Sequence, residues 1–307
     1  MAMTVRSLTG HMVVTGHMKG IALAVLGSIL WGASGISGQF LLQFRAVPAE
    51  WLTAVRMIVA GILLLAYDAA SHHGDIFSIW KQKREAARLI LFSVVGMLGV
   101  QYTYFAAILY SNAPTGTILQ YMMPIIILAW TALRSHTLPG KKACICCALA
   151  IIGTFLIVTR GTWGTLAISP LALFWGLLSA VAAAFYTVQP QGLIIRWRAS
   201  LIVGWAMLAG GLIFSPIARP WQPAGDFDTL AILALIYVIV VGTAVAFWLY
   251  LSSLKYIEPS EAGLLNSVEP LSSIVLSMLI FHLTFGVAEA VGAALIICTV
   301  LVVVRQS

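Results

Sequence analysis

The chain has 307 residues, of which 61% are hydrophobic and only 9% charged, and its mean hydropathy is +1.00. A water-soluble domain carries about 25% charged residues, so a soluble globular fold is excluded. A net charge of +7 would suit a nucleic-acid partner if it formed a patch, but the basic residues are scattered between apolar spans and read as topology signals.

Residues 1–19 lack the long apolar core of a signal peptide and repeat the tetrad TGHM at Thr9–Met12 and Thr15–Met18. They are expected to be a cytoplasmic N-terminal segment or an over-long start. Ten apolar runs follow: Gly20–Leu42, Trp51–Tyr67, Leu89–Leu109, Ala113–Leu133, Ala143–Thr159, Ser169–Ile195, Ala199–Ala218, Thr229–Leu254, Ala262–Phe281 and Leu283–Val304. Each is close to the roughly 17–25 residues that span a hydrocarbon core. Inside them stand three charges, Arg56, Glu269 and Glu289. Counted over alternate loops, thirteen basic residues fall on one side and three on the other, which puts both termini in the cytoplasm.

Shifting the chain by 146 residues without a gap superposes Gly96, Tyr104, Tyr110, Pro124 and His136 on Gly242, Tyr250, Tyr256, Pro270 and His282. Runs three to five thereby match runs eight to ten. Five crossings per half reverse the second half, so the expected fold is an all-α membrane protein of ten transmembrane helices in a five-plus-five inverted-topology repeat, with residues 20–159 as the first repeat and 160–307 as the second.

Candidate path-lining residues follow from polar side chains at helical spacing. The second span holds Arg56 near its non-cytoplasmic end, where a role in reaching the interface is expected over one in binding a carboxylate. In the third span, Gln101 shares a face with Tyr104 and Phe105. In the fourth, Thr117, Gln120, Tyr121 and Pro124 recur at three- and four-residue steps, and their repeat partners are Gly263, Asn266, Ser267 and Pro270. Tyr186, Gln189 and Pro190 in the sixth span, Trp248 in the eighth, and Trp31, Ser34 and Gln39 in the first are weaker candidates. The ninth span carries Glu269 near its middle; a charge there costs roughly 2.5–3.5 kcal/mol, so it should face a polar interior. Spaced 4-3-4, Ala262, Asn266, Glu269 and Ser273 are expected to share one helix face.

Pro124, Pro190 and Pro270 are candidate kinks or gates. Cys144, Cys146, Cys147 and Cys298 lie in apolar stretches and read as buried thiols; no metal or cofactor is expected. An intramembrane enzyme would need an activated nucleophile or a metal constellation, and none is assembled within the spans. No GxxxxGK[ST] stretch exists for ATP, so transport would draw on gradients.

The ten-helix repeat, the WGAS of Trp31–Ser34, Pro124 in the fourth span and the Glu269–Pro270 pair in the ninth resemble the EamA-type branch of the drug/metabolite transporter superfamily. That resemblance implies a basket of helices around a central cavity lined by helices one, three, four, six, eight and nine, moving small metabolites across a bacterial inner membrane. The aromatic third, fourth and sixth spans are similar to those of YddG-like amino-acid exporters. A secondary exporter of small metabolites, amino acids and aromatic ones above all, is therefore the expected function, with drugs or other metabolites as the alternative. Substrate contacts would come from Gln101, Tyr104, Gln120, Tyr121, Tyr186, Trp248, Asn266 and Glu269. The expected partners are the substrate and the lipid bilayer, with no nucleic acid and a monomeric state. Proton-coupled small multidrug relatives use an acid in their first helix; this first span has none.

Overall fold

The computed structural model describes residues 2–72, 75–135, 141–162, 167–257, 261–262 and 265–304. Outside them lie His136 and Gly263 of the repeat pairs, as do the side chains of residues 2–15 and of Pro124, Cys144, Cys146 and Cys147.

Among the described residues every regular element is helical. The order is α1 (Ala2–Gln39, continued to Phe44 by a π-helical turn), α2 (Ala49–His72), α3 (Lys83–Tyr110), α4 (Ala113–Gln120), α5 (Met123–Ser135), α6 (Lys141–Thr159), α7 (Pro170–Ile194), α8 (Ala199–Ala218), α9 (Thr229–Ser253), α10 (Val268–Phe281) and α11 (Val287–Val304). Among the described residues six of these, α1, α2, α3, α7, α8 and α9, are long and apolar enough to cross a membrane, and α6, α10 and α11 hold shorter apolar helical stretches. Because α1 starts at Ala2, the segment before Gly20 continues into the first span without a boundary.

Local sequence sets the helix starts. Asn112 caps α4 by accepting the Thr115 N–H at 2.9 Å, with Pro114 in the first turn. Ser169 ahead of Pro170 caps α7, and Asp228 caps α9 through the Ala231 N–H at 2.7 Å. In each case a side-chain oxygen satisfies one of the orphan donors of a helix N-terminus, worth about 1 kcal/mol.

The bundle is apolar outside as well as within, with polar side chains set into its interior. Leu133, Ile195, Ile217 and Leu279 stand on the outside, while Ser28, Thr117, Ser179, Thr243 and Ser273 are fully buried. Such an apolar exterior suits lipid, and Ser28, Thr117, Ser179 and Thr243 bond across the interior or to their own helix, while the Ser273 hydroxyl is buried without a described partner. Cys298 also lies exposed on the outer face and is unpaired, which corrects the expectation of a buried thiol.

Helix pairing follows a definite pattern. α1 packs mainly on α9 and α10, and α7 mainly on α3, α4 and α5; α2 pairs with α8, and α6 with α11. Small residues permit these two close pairings: a Cβ added at Gly61 of α2 would stand 2.6 Å from the Leu208 backbone nitrogen of α8. At the α6–α11 crossing, Gly153 and Gly292 face each other in the same way, a Cβ on Gly153 meeting the Gly292 carbonyl at 2.7 Å.

Two expected spans are broken. The fourth run is interrupted at Tyr121–Met122, between α4 and α5. The ninth turns at Asn266–Ser267 before α10 begins, so Ala262, Asn266, Glu269 and Ser273 do not lie on one unbroken helix, although Ala262 and Ser273 are buried and Asn266 and Glu269 both meet the Tyr121 hydroxyl. The cause is chemical. Proline has no N–H, and its ring clashes with the carbonyl four residues back, which is Gln120 for Pro124 and Asn266 for Pro270. π-Helical segments occupy Phe92–Leu98 in α3 and Tyr237–Val245 in α9, and these too recur at a separation of 146 residues.

Ion pairs tie the ends. Asp68, buried at the end of α2, receives Arg198 Nη2 at 2.6 Å and the Ser200 hydroxyl at 2.5 Å. Elsewhere, Arg45 after α1 meets Asp228 at the start of α9 at 2.7 Å, and Arg160 after α6 meets Glu289 at the start of α11 at 3.0 Å.

Candidate functional site

The centre of the bundle is assembled around the two breaks. Freed from its helical partner by Pro270, the Asn266 carbonyl accepts the Tyr121 hydroxyl at 2.7 Å. The same hydroxyl oxygen accepts the Asn266 Nδ2 amide at 2.9 Å and lies 3.2 Å from Glu269 Oε2. One break is thus stitched to the other by the tyrosine that immediately follows α4. Glu269 is one residue into α10, and its costly carboxylate is met by a phenol rather than by lipid.

Each amide also reaches a buried serine on the other half's leading helix. Gln120 Nε2 donates to Ser179 Oγ of α7 at 2.7 Å, and Ser28 Oγ of α1 donates to Asn266 Oδ1 at 2.9 Å.

Glycine in α1 brings the walls of this centre together. Gly35 is so close to α3 that an added Cβ would stand 2.6 Å from the Tyr104 hydroxyl, and at Gly32 it would stand 2.7 Å from the Glu269 carbonyl. Tyr104, buried, bonds Thr117 Oγ1 at 2.9 Å, and since Thr117 donates to the Ala113 carbonyl, the tyrosine is the donor. Trp31 packs on Phe247 and Tyr250 of α9, with ring centres 5.0 and 5.2 Å apart. Gln39 accepts the Ala113 N–H at 2.9 Å and so anchors the start of α4 on α1.

Arg56 corrects an expectation. Instead of extending to the interface, it is 5% exposed, donates from Nε to Thr243 Oγ1 at 2.7 Å, and lies over the Phe105 ring with its guanidinium carbon 5.1 Å from the ring centre. Thr243 accepts because its own proton goes to the Val238 carbonyl within the π segment of α9. Buried, stacked and aimed inward, Arg56 belongs to the interior.

The structure brings together Tyr104, Tyr121, Gln120, Asn266, Glu269 and the buried Pro270, with Gln101 buried on the same helix as Tyr104. Tyr186 stands a little apart, stacked on Phe92 at 5.4 Å in the π segment of α3. Pro190 marks a turn after Val188, where Gln189 donates to the Arg88 carbonyl at 3.0 Å. Trp248 lies elsewhere: 41% exposed, it packs edge-on against Tyr67 and borders a cavity of about 220 Å³ lined also by His72, Arg198 and Lys255. Ser28, Ser179 and Thr243 escape a sequence reading because serine and threonine are common in apolar spans. Arg56 is the one of these with a signal, being the lone charge of its span.

An apolar exterior and apolar helices broken at the core define a multi-pass membrane protein. The chain belongs to the EamA-like transporter family, whose model matches residues 18–159 and 170–305. It is 40% identical to the uncharacterized inner membrane transporter YicL of Salmonella typhimurium over 94% of this chain and 96% of that protein. It is 27% identical to the uncharacterized transporter YetK of Bacillus subtilis over 92% of this chain and 86% of the relative. A solved protein crystal structure shares the fold with a TM-score of 0.60 at 20% identity, covering 95% of this chain and 98% of that one. The chain is accordingly a membrane transporter, a multi-pass protein of the bacterial inner membrane.

Proposed function

We propose that the protein is a secondary exporter of small metabolites, amino acids and aromatic ones above all, working by alternating access through a central cavity. The carrying observation is the pair of broken helices meeting at the core, each with an amide bonded to a buried serine of the opposite half. Broken helices at the interface of two repeats are where secondary transporters hold their substrates. Support for a five-plus-five inverted repeat comes from the helix pairing, which is preserved when the halves are exchanged: α1 on α9 and α10 answers α7 on α3, α4 and α5. The two stretches matched by the family model also correspond to repeats at 20–159 and 160–307. Both termini are cytoplasmic in this reading, from the asymmetry of basic residues.

Tyr104, Tyr121, Asn266 and Glu269 border the path, Gln101 and Gln120 extend it, and Tyr186 and Trp248 are its outlying aromatics. Phenol rings suit an aromatic substrate because they stack and hydrogen-bond at once. Pro124, Pro190 and Pro270 give the helices carrying these groups places to bend.

The test is transport by purified protein in liposomes. Labelled tryptophan, phenylalanine or threonine should equilibrate faster than in protein-free vesicles, and running the assay with and without a pH gradient separates proton coupling from facilitated diffusion. No movement of any amino acid across a panel would eliminate this substrate class and leave drugs or other metabolites.

A further inference from the structure

Arg56 presents a problem that the stitching of the breaks does not solve. Its side chain is more than nine-tenths buried, and Nε has a partner in Thr243, but its two terminal amino groups donate to no described residue. It forms no ion pair among the described residues. A guanidinium carries five donors in a fork that fits a carboxylate through two parallel bonds. Here the fork is oriented by Thr243 and the Phe105 face, with its two-pronged end left over.

Glu269 has the complementary surplus. Its described hydrogen-bonding neighbours are the Tyr121 hydroxyl, 3.2 Å from Oε2, and the Asn266 side-chain amide, both neutral, so its charge meets no cationic partner among the described residues. The two charges form no ion pair; Phe105, under the Arg56 guanidinium, packs against Tyr104 with ring centres 5.9 Å apart, while Glu269 is held from the other side by Tyr121. Two opposite charges in a low-dielectric centre would ordinarily collapse into a pair. Arg56 is restrained by α9, and Glu269 by the break ahead of α10.

We infer that Arg56 and Glu269 are the two poles of a zwitterion site, Arg56 taking the carboxylate of an α-amino acid and Glu269 its ammonium group. The inference rests on the amino-acid reading above and sharpens it. Substrates must carry both charges, and the aromatic walls select the side chain. A molecule with a single charge would leave one pole buried and unpaired, a penalty that discriminates far better than a change in apolar contact.

The experiment uses wild-type protein in liposomes, with labelled tryptophan as the transported probe. Unlabelled tryptophan, tryptamine (no carboxylate), indole-3-propionate (no ammonium) and indole serve as competitors. Tryptophan should compete about tenfold or more better than either half-analogue, the scale of one charged hydrogen-bonded contact. R56Q should erase the preference for tryptophan over tryptamine while R56K retains part of it, and E269Q should erase the preference over indole-3-propionate. Equal competition by all four in the wild type would overturn the proposal, and so would R56Q protein with its preferences intact. Should R56Q fail to elute as a single species, the wild-type series decides alone. If no labelled amino acid crosses, the amino-acid reading itself falls, an outcome distinct from transport without zwitterion selectivity.

Discussion

Replacing Tyr121 with phenylalanine removes one oxygen from the centre of the bundle and almost no volume, so its cost measures the stitch between the two breaks. The Asn266 carbonyl keeps the Glu269 N–H at 2.9 Å and is not orphaned. Asn266 Nδ2 loses the partner it has at 2.9 Å. An interhelical hydrogen bond within a membrane protein contributes about 0.6 kcal/mol on average and up to about 1.7. Asn266 is half-buried, so stranding its amide adds up to the roughly 1–3 kcal/mol of a fully buried group. The stranded donor is the larger effect, and Y121F should destabilise the protein by roughly 2 kcal/mol. N266A removes the same amide and its bond to Ser28, so the Y121F/N266A double variant should be less destabilised than the two single variants together, by about 1 kcal/mol. Equilibrium unfolding in mixed detergent micelles measures all four proteins. Strict additivity, or Y121F as stable as the wild type, would refute the idea that the hydroxyl joins the breaks.

Two further expectations follow from the structure. Gly61→Ala sets a methyl against the α8 backbone at 2.6 Å and should cost about 1–3 kcal/mol, because backbone cannot rotate away; Gly99→Ala, whose nearest neighbour would be a side-chain carbon at 3.5 Å, should be near neutral in the same melting assay. Asp228 is held below its ordinary carboxylate value of 3.8 by the hydrogen bond from Arg45 and by the Ala231 N–H. A depressed folded value means that its stabilising contribution is present above pH 3.8 and is lost as pH falls through that depressed value. D228N keeps the cap but not the charge, so its melting temperature should fall less steeply than that of the wild type on acidification below pH 3.8; parallel curves would show that this ion pair plays no part.

The apolar runs and the polar core positions were legible because lipid imposes a severe rule: long apolar stretches outside, costly polar groups inside. Glu269 could be placed in the interior from its cost alone. Pro124 and Pro270 announced disturbance, but proline leaves open whether a helix bends or breaks, and the breaks at Tyr121–Met122 and Asn266–Ser267 depend on what receives the freed carbonyl. For Asn266 that receiver is a tyrosine 145 residues earlier, beyond any local pattern. The π segments are equally silent in sequence. Arg56 could as readily have turned to the interface; Thr243 and Phe105, on two other helices, turn it inward. Trp248 shows the reverse, since an aromatic residue reads alike whether it faces the core or the lipid.

Because α1 rests chiefly on α9 and α10, and α7 on α3, α4 and α5, the two halves of the chain are interlaced rather than stacked side by side. This has a consequence for synthesis. The first helix to leave the ribosome waits until more than two hundred further residues have followed before its main neighbours exist, and until then Ser28 has no Asn266 to meet. Severing the chain between α6 and α7 should yield two fragments, each deprived of the surfaces its own leading helix needs. Such fragments would be sound only when made together, so that assembly of this protein is an act of mutual completion delayed to the last helices.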